Sequence, residues 1–230
     1  GLRTDRPLFR RVLAGDPSVI ELREWSRLAE ELQQERVRLS NRIRQQLWRY
    51  YPQLLELSDD MTAEWVLALW TLAPTPAQAA RLREATLARL LRQHRIRKLD
   101  APAVLAILRQ PAIPVAPGVT EAAVLHLRSL VARLRLANQE FRQAERKLEE
   151  LCTALSETQP TAQDSGPGDA TILRSLPGVG PVTLATLLTE AAGPLARRDY
   201  AALRTLSGVA PVTKRSGKTS EASSSDTPQA

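Results

Sequence analysis

The sequence predicts an all-α protein, built on long coiled-coil helices with a small helix-hairpin-helix domain towards the C-terminal end. Three observations carry that expectation. Hydrophobic residues make up 43% of the 230-residue chain but aromatics only 4%, so Leu, Ala and Val must fill the core, as they do in helical proteins. From Ala123 through Leu127, Leu130, Leu134, Ala137, Phe141, Ala144 and Leu148 to Leu151, apolar residues alternate steps of four and three. That is a heptad seam sustained over four repeats. The string Leu176-Pro177-Gly178-Val179-Gly180-Pro181 then opens an apolar helix, the pattern of a tight turn between two helices.

In chain order, Asp16-Pro17 reads as a helix start, with Asp as N-cap and Pro at the first helical position. The stripe that follows (Leu22, Trp25, Ala29, Leu32, Leu39, Ile43, Leu47, Tyr50) is broken once, by Arg36 in a seam position. Pro52 ends this helix or begins a short one reaching Leu57. Met61 to Leu72 reads as a compact apolar helix whose Trp65 and Trp70 suit a core better than ligand stacking. Pro74-Thr75-Pro76 marks a break before a basic helical stretch over 77–98, and a further short helix spans Val104 to Arg109. Pro111, Pro114, Pro117 and Gly118 form a stiff connector into the long heptad helix. That seam suits either a coiled coil, between copies or within the chain, or a helix packed on its own domain.

The Pro-, Gly- and Ser-rich stretch 159–170 is the expected linker, separating a helical region over 16–158 from a C-terminal module over 171–218. Residues 219–230 are poor in apolar side chains and read as a disordered tail.

Charge narrows the function. Lys+Arg total 32 against Asp+Glu 25, a net charge of +7 that points to a polyanionic partner such as DNA. The charge is concentrated. Within 77–98, Arg81, Arg83, Arg89, Arg92, Arg95, Arg97 and Lys98 face only Glu84, and from Leu195 to Lys218 six cations face Asp199 alone. Two phosphate-binding surfaces fit this better than a uniformly basic face. Cys152 is the only cysteine and His94 and His126 stand apart, which excludes an internal disulfide and a tetrathiolate site and leaves no metal-ligand spacing. There is no apolar run of membrane-spanning length and no signal pattern, so the expected partners exclude a membrane and the expected location is cytoplasmic, at the bacterial nucleoid. The chain opens on Gly1 instead of Met, which an upstream segment or processing would each explain.

In the hairpin, Gly178 and Gly180 permit backbone angles closed to other residues and expose amides at the following helix N-terminus, where a phosphate oxygen can sit. Thr183, in that helix's first turn, joins the candidate contacts, with Arg197, Arg198, Lys214, Arg215 and Lys218 downstream. A tight turn between two packed helices is the plainer alternative.

The succession SLPGVGPVTLATLL and then RRDYAALRTLSGVAPVTKRSGK resembles the C-terminal domain of bacterial insertion-sequence transposases of family one-ten. LRTDRPLFRRV and QQLWRYYPQLLEL resemble the end of that family's RuvC-like nuclease domain, here residues 1–15, and its first coiled-coil helix. The expected homo-oligomer would form through the coiled coil of the heptad seam, while the resemblance implies a recombinase guided by a structured bridge RNA. It also implies Mg2+ bound by four acidic residues of the nuclease domain, expected upstream of Gly1, so that this chain alone binds no cofactor. The family's nucleophilic serine matches Ser216, in Arg215-Ser216-Gly217-Lys218, with Ser207 as the competing serine. A serine hydroxyl can attack phosphorus while Lys214, Arg215 and Lys218 stabilise the charge on the phosphoryl oxygens. After Ser220 the sequence departs from the family's basic helix, which marks an incomplete and inactive copy as the first expectation. A non-catalytic helix-hairpin-helix and coiled-coil DNA-binding protein is the alternative.

Overall fold

Two long helices account for much of the chain, and each exists because it can bury an apolar edge along its length. The computed structural model describes residues 17–111, 114–116, 118–157, 168–208, 212–216 and 219–223. Helix α1 runs Pro17–Tyr50, followed by a 3-10 turn over Pro52–Leu57. Helices α2 (Glu64–Leu72), α3 (Pro76–Ala80), α4 (Glu84–Gln93) and α5 (Ala101–Leu108) come next, then α6 (Val119–Glu157). The C-terminal elements are α7 (Asp169–Arg174), α8 (Pro181–Glu190), α9 (Ala192–Ala196) and α10 (Tyr200–Leu206). The fold is all-α, with one addition: Val212–Ser216 (β1) and Thr219–Ser223 (β2) pair as an antiparallel hairpin, Ser216 opposite Thr219. Thr219–Ser223, tail by composition, is therefore a strand; the remainder of the tail, residues 1–16 and most of the 159–170 linker lie outside the described residues.

Three boundaries differ from the sequence expectation, two for a local reason and one through a contact distant in sequence. The helix expected from Met61 begins at Glu64, because the Asp60 carboxylate accepts from the Thr62 amide at 2.8 Å and its hydroxyl at 2.6 Å, holding the chain in a turn. The basic helix expected over 77–98 is two helices. Leu82 turns into the core, 8% exposed, and its carbonyl accepts from Arg109 Nη2 at 3.0 Å instead of continuing a ladder. The last short helix starts at Ala101, where the Asp100 side chain accepts from the Ala103 amide at 2.8 Å.

The chain forms two compact units, and α1 and α6 contribute to both. In the unit over 29–143, one continuous core joins Leu39, Ile43 and Leu47 of α1 to residues of α2, α4 and α5 and to Leu127, Leu130 and Leu134 of α6. Glu35 pairs with Arg133, while Gln46 and Arg49 line a cavity with Ala122 and His126, so α1 and α6 run antiparallel. The heptad seam is thus buried within the chain: Leu127 and Leu134 are fully covered and Ala123 and Ala137 nearly so.

Arg36 interrupts the α1 stripe and makes its own polar contacts. Its Nε donates to Asn138 Oδ1 at 2.8 Å, its guanidinium lies 4.3 Å from the Phe141 ring centre, and Asn138 Nδ2 donates to the Thr62 carbonyl at 2.9 Å. A buried amide thus joins α1, α6 and the turn ahead of α2. Tyr50 works similarly at the far end: its hydroxyl donates to the Pro74 carbonyl at 2.8 Å and accepts from Trp70 Nε1 at 3.1 Å, and burial raises its pKa to about 12 against the weaker pull of Trp70.

The second unit holds residues 17–28 of α1, α6 from Ala144, and the C-terminal elements. Ser26 and Thr186 hydroxyls bond at 3.2 Å, Arg23 Nη2 donates to the Thr189 carbonyl at 3.1 Å, and Lys147 pairs with Glu21. Arg174 ties α7 to Glu149 and Thr153 of α6. Cys152 is fully buried with its Sγ 3.8 Å from the Pro181 carbonyl, and burial pushes its thiol up to about 11, with Glu149 adding to the shift and Arg174 opposing it.

Two expectations follow from the packing. Leu134→Ala costs about 2–5 kcal/mol. The account requires the melting midpoint to fall at every protein concentration; a loss seen only through altered self-association in sedimentation would assign the seam to a second copy. Cys152 stays protonated past its unfolded pKa, so its contribution to stability is complete below pH 9 and declines as pH rises towards 11. Disulfide-exchange labelling at pH 8 is expected to be far slower for the folded chain than in denaturant, and equal rates would refute the burial.

Candidate nucleic-acid interface

Helices α7 and α8 are joined by a turn whose geometry distinguishes its two glycines. Val179 N donates to the Leu176 carbonyl at 3.3 Å, and Gly178 sits at φ +84°, a left-handed conformation that side chains rarely adopt. Gly180 is different. It is the N-cap of α8 at φ −83° and ψ 175°, and a Cβ there would meet nothing within 4 Å. The turn depends on Gly178, and Gly180 is the permissive position.

Pro181 starts α8 without a donor to waste, and no side chain caps the helix. Its first-turn amides have no partner within the helix. Gly178, Gly180 and Thr183 are all exposed, whereas Leu184 and Ala185, one turn in, are buried. The sequence thus places its packing residues on one side of α8 and leaves its N-terminus open.

The two arginines expected as phosphate contacts differ in their surroundings. Arg198, at φ +54°, forms an ion pair with Asp169 in the first turn of α7; Arg197 is exposed and has no carboxylate partner among the described residues. Nearby, Arg204 lies 5.6 Å from the Tyr200 ring centre, and Asp199 caps α10 through the Ala202 amide at 3.0 Å. Lys214, Arg215 and Ser216 occupy β1, with Ser216 its last residue; Gly217 and Lys218 lie outside the described residues. Ser207 closes α10, and its hydroxyl donates to the Arg204 carbonyl at 3.2 Å. Among the described residues no group of three or more His, Cys, Asp and Glu side chains is placed to hold a metal ion, and no helix is long and apolar enough to cross a membrane.

The role of Arg174 and the backbone conformation of Arg95 were not identified from sequence. Arg174 fastens α7, and with it the entry to the turn, to α6; an isolated arginine in a short helix carries no sequence signal of that role. Arg95 takes a left-handed position at the end of α4, where a glycine would have been recognisable.

Comparison with known proteins bears on this segment directly. Residues 170–228 match the family described as Transposase IS116/IS110/IS902. The chain is 63% identical over 101 residues to the protein named "Putative transposase y4uE" of Sinorhizobium fredii, a match covering 44% of this chain and 28% of that protein. It is 30% identical over 227 residues to the "Mini-circle putative transposase for IS117" of Streptomyces coelicolor, covering 94% of this chain and 51% of that one. The chain therefore spans about half the length of the longer match. No solved structure matches it. Residues 170–228, which span most of α7, the α7–α8 turn and both strands, thus match the Transposase IS116/IS110/IS902 family, and the chain is similar to an insertion-sequence transposase along nearly its whole length.

Proposed function

We propose that this chain serves DNA transposition, binding DNA through the α7–α8 turn as a helix-hairpin-helix and carrying the nucleophile at Ser216. The observation that carries the reading is the family match over 170–228, which contains the open α8 N-terminus, Arg197 and Ser216 in one segment. First-turn amides and an unpaired arginine suit a phosphodiester, which accepts hydrogen bonds and needs no base-specific contact for positioning. The concentration of cations around Ser216 suits the same ligand.

In the proposed step the Ser216 Oγ forms a bond to phosphorus as the phosphorus–sugar oxygen bond breaks, and the serine proton passes in net terms to the departing sugar oxygen. The product is a phosphoserine ester with DNA and a free sugar hydroxyl. Lys214, Arg215 and Lys218 neutralise the phosphoryl oxygens. On the family resemblance, Mg2+ belongs in this reading to acidic side chains of a nuclease domain. The structured guide RNA is proposed on the same family resemblance, whereas self-association was expected from the heptad seam alone. The seam of α6 is already occupied in this chain, so association needs another face.

Gly178→Val is expected to strain the turn and weaken duplex binding about ten-fold, the scale of a lost backbone hydrogen bond to a charged group, while Gly180→Ala binds as wild type. Equal Kd values for both variants in a fluorescence titration would reject the turn as a phosphate site. Arg197→Ala should lower the salt slope by about one unit. Arg198→Ala, already neutralised by Asp169, should change it less.

For catalysis, Ser216→Ala in the full-length transposase bearing this chain is expected to abolish covalent protein–DNA adducts on denaturing gels and leave DNA binding intact. An adduct that survives this substitution and disappears with Ser207→Ala would move the nucleophile. Binding with no adduct in any full-length form would favour the non-catalytic DNA-binding protein.

A further inference from the structure

We propose that the unit over 29–143 carries a separate pocket for one unpaired nucleotide of a single-stranded nucleic acid, floored by Trp65 and rimmed by Arg95, Arg97 and Lys98. The inference rests on the nucleic-acid reading above and deepens it. Four observations converge on the pocket.

The first is the cavity, about 490 Å³, large enough for a nucleotide by the usual range of ligand sites. Trp65, Ile96 and Leu99 form its apolar part, each partly buried and packed against the core. Arg95, Arg97 and Lys98 line the same cavity and are exposed.

The second is the contrast between two tryptophans of one helix. Trp70 is 4% exposed and spends its indole N–H on the Tyr50 hydroxyl. Trp65 is half-buried, lines the cavity, and has no hydrogen-bond partner among the described residues. An aromatic plane with a free donor beside fixed cations suits a base and its phosphate.

The third is charge. None of Arg89, Arg92, Arg95, Arg97 and Lys98 makes an ion pair or side-chain hydrogen bond with a described residue. Many other cations are neutralised: Arg133 and Arg135 of the same unit, and Arg23, Arg27, Lys147, Arg174 and Arg198 of the other, have carboxylate partners. Unneutralised cations that crowd together repel one another, and a phosphate backbone relieves that repulsion.

The fourth is strain. Arg95 lies at φ +56°, with its amide bonded to the Arg92 carbonyl at 3.0 Å and the Ile96 amide to the Leu91 carbonyl at 2.9 Å. This is a helix-ending turn in which glycine is the unstrained choice. An arginine held there sets a cation at the cavity rim against its own backbone preference.

Fluorescence anisotropy of the whole chain with a labelled oligouridylate, the matching oligothymidylate and a DNA duplex tests the pocket. Arg95→Gly/Arg97→Gln/Lys98→Gln is expected to lose about ten-fold or more in single-strand affinity, with a salt slope shallower by about 0.7 for each phosphate left without its cation. Trp65→Leu is expected to lose about ten-fold while keeping the slope, because stacking is uncharged. Duplex binding through the α7–α8 turn should persist in both variants. Arg95→Gly suits the local backbone, so that single variant keeps the test decisive should Trp65→Leu fail to fold by circular dichroism. Preference for oligouridylate assigns the nucleotide to an RNA, and preference for oligothymidylate to a melted DNA strand; either supports the pocket. Wild-type affinity in the variants, or a chain that binds duplex and neither single strand, overturns the pocket and leaves the transposase reading standing. A chain that binds none of the three overturns both.

Discussion

The apolar edge of α6 must leave water, and the chain covers it with its own residues. Each compact unit buries its share: Ala123 to Ala137 in one, Ala144, Leu148 and Cys152 in the other. Burying one leucine side chain contributes roughly 1.5–3 kcal/mol, so a row of them outweighs the modest helix propensity of any segment. The polar exception, Arg36 with Asn138 and Phe141, makes the pairing specific. A guanidinium in an apolar stripe is tolerated only in the register that gives it partners, and that register fixes which side chains of α1 meet which of α6. The helices α2 to α5 then pack over this pair and close the core.

Within each unit, what packing leaves over is the functional material. Around the C-terminal module, Arg174 and Arg198 are drawn into ion pairs that hold elements together, and the open features include backbone amides at α8 and Arg197, which has no carboxylate partner among the described residues. In the 29–143 unit, Arg133 and Arg135 are paired as well, but α4 and the turn after it keep their cations free of carboxylates among the described residues. Leu87, Leu90 and Leu91 of α4 hold that helix in the core, and its arginines, turned the other way, have no acids to meet. The same net positive charge therefore does structural work in one place and remains available in another. In the proposed reading a phosphate-bearing partner is the shared ligand chemistry of both surfaces, reached through amide donors in one and through side-chain cations in the other.

Much of this was legible in the residues, because the strongest signals are periodic. The α6 seam, the α1 stripe with its Arg36 fault, and the α7–α8 turn all follow from spacing, and the helices stand close to where spacing puts them. Leu82 and the two tryptophans depend on contacts distant in sequence, and Arg95 on a local backbone conformation. Leu82 interrupts the basic helix because Arg109, 27 residues on, takes its carbonyl. Arg95 ends α4 in a conformation that composition assigns to glycine. Trp65 and Trp70, five positions apart on the same apolar helix, look equivalent as letters and separate only once Tyr50 claims one of them. At the site, spacing singled out both glycines, but only backbone geometry separates the necessary Gly178 from the permissive Gly180. Arg198 likewise reads as free until Asp169 is found beside it.

The central claim is that nucleic acid engages two defined surfaces, the open turn before α8 and the basic end of α4, through phosphate. Hydrogen–deuterium exchange of the whole chain, with and without a partly single-stranded DNA, tests it most directly. The account predicts slowed exchange at Gly178–Leu184 and at Arg95–Leu99, reversed by high salt, with the amides of the buried α6 seam unchanged. Bound DNA that leaves both segments exchanging as in the free chain, or that protects α6 instead, would contradict it.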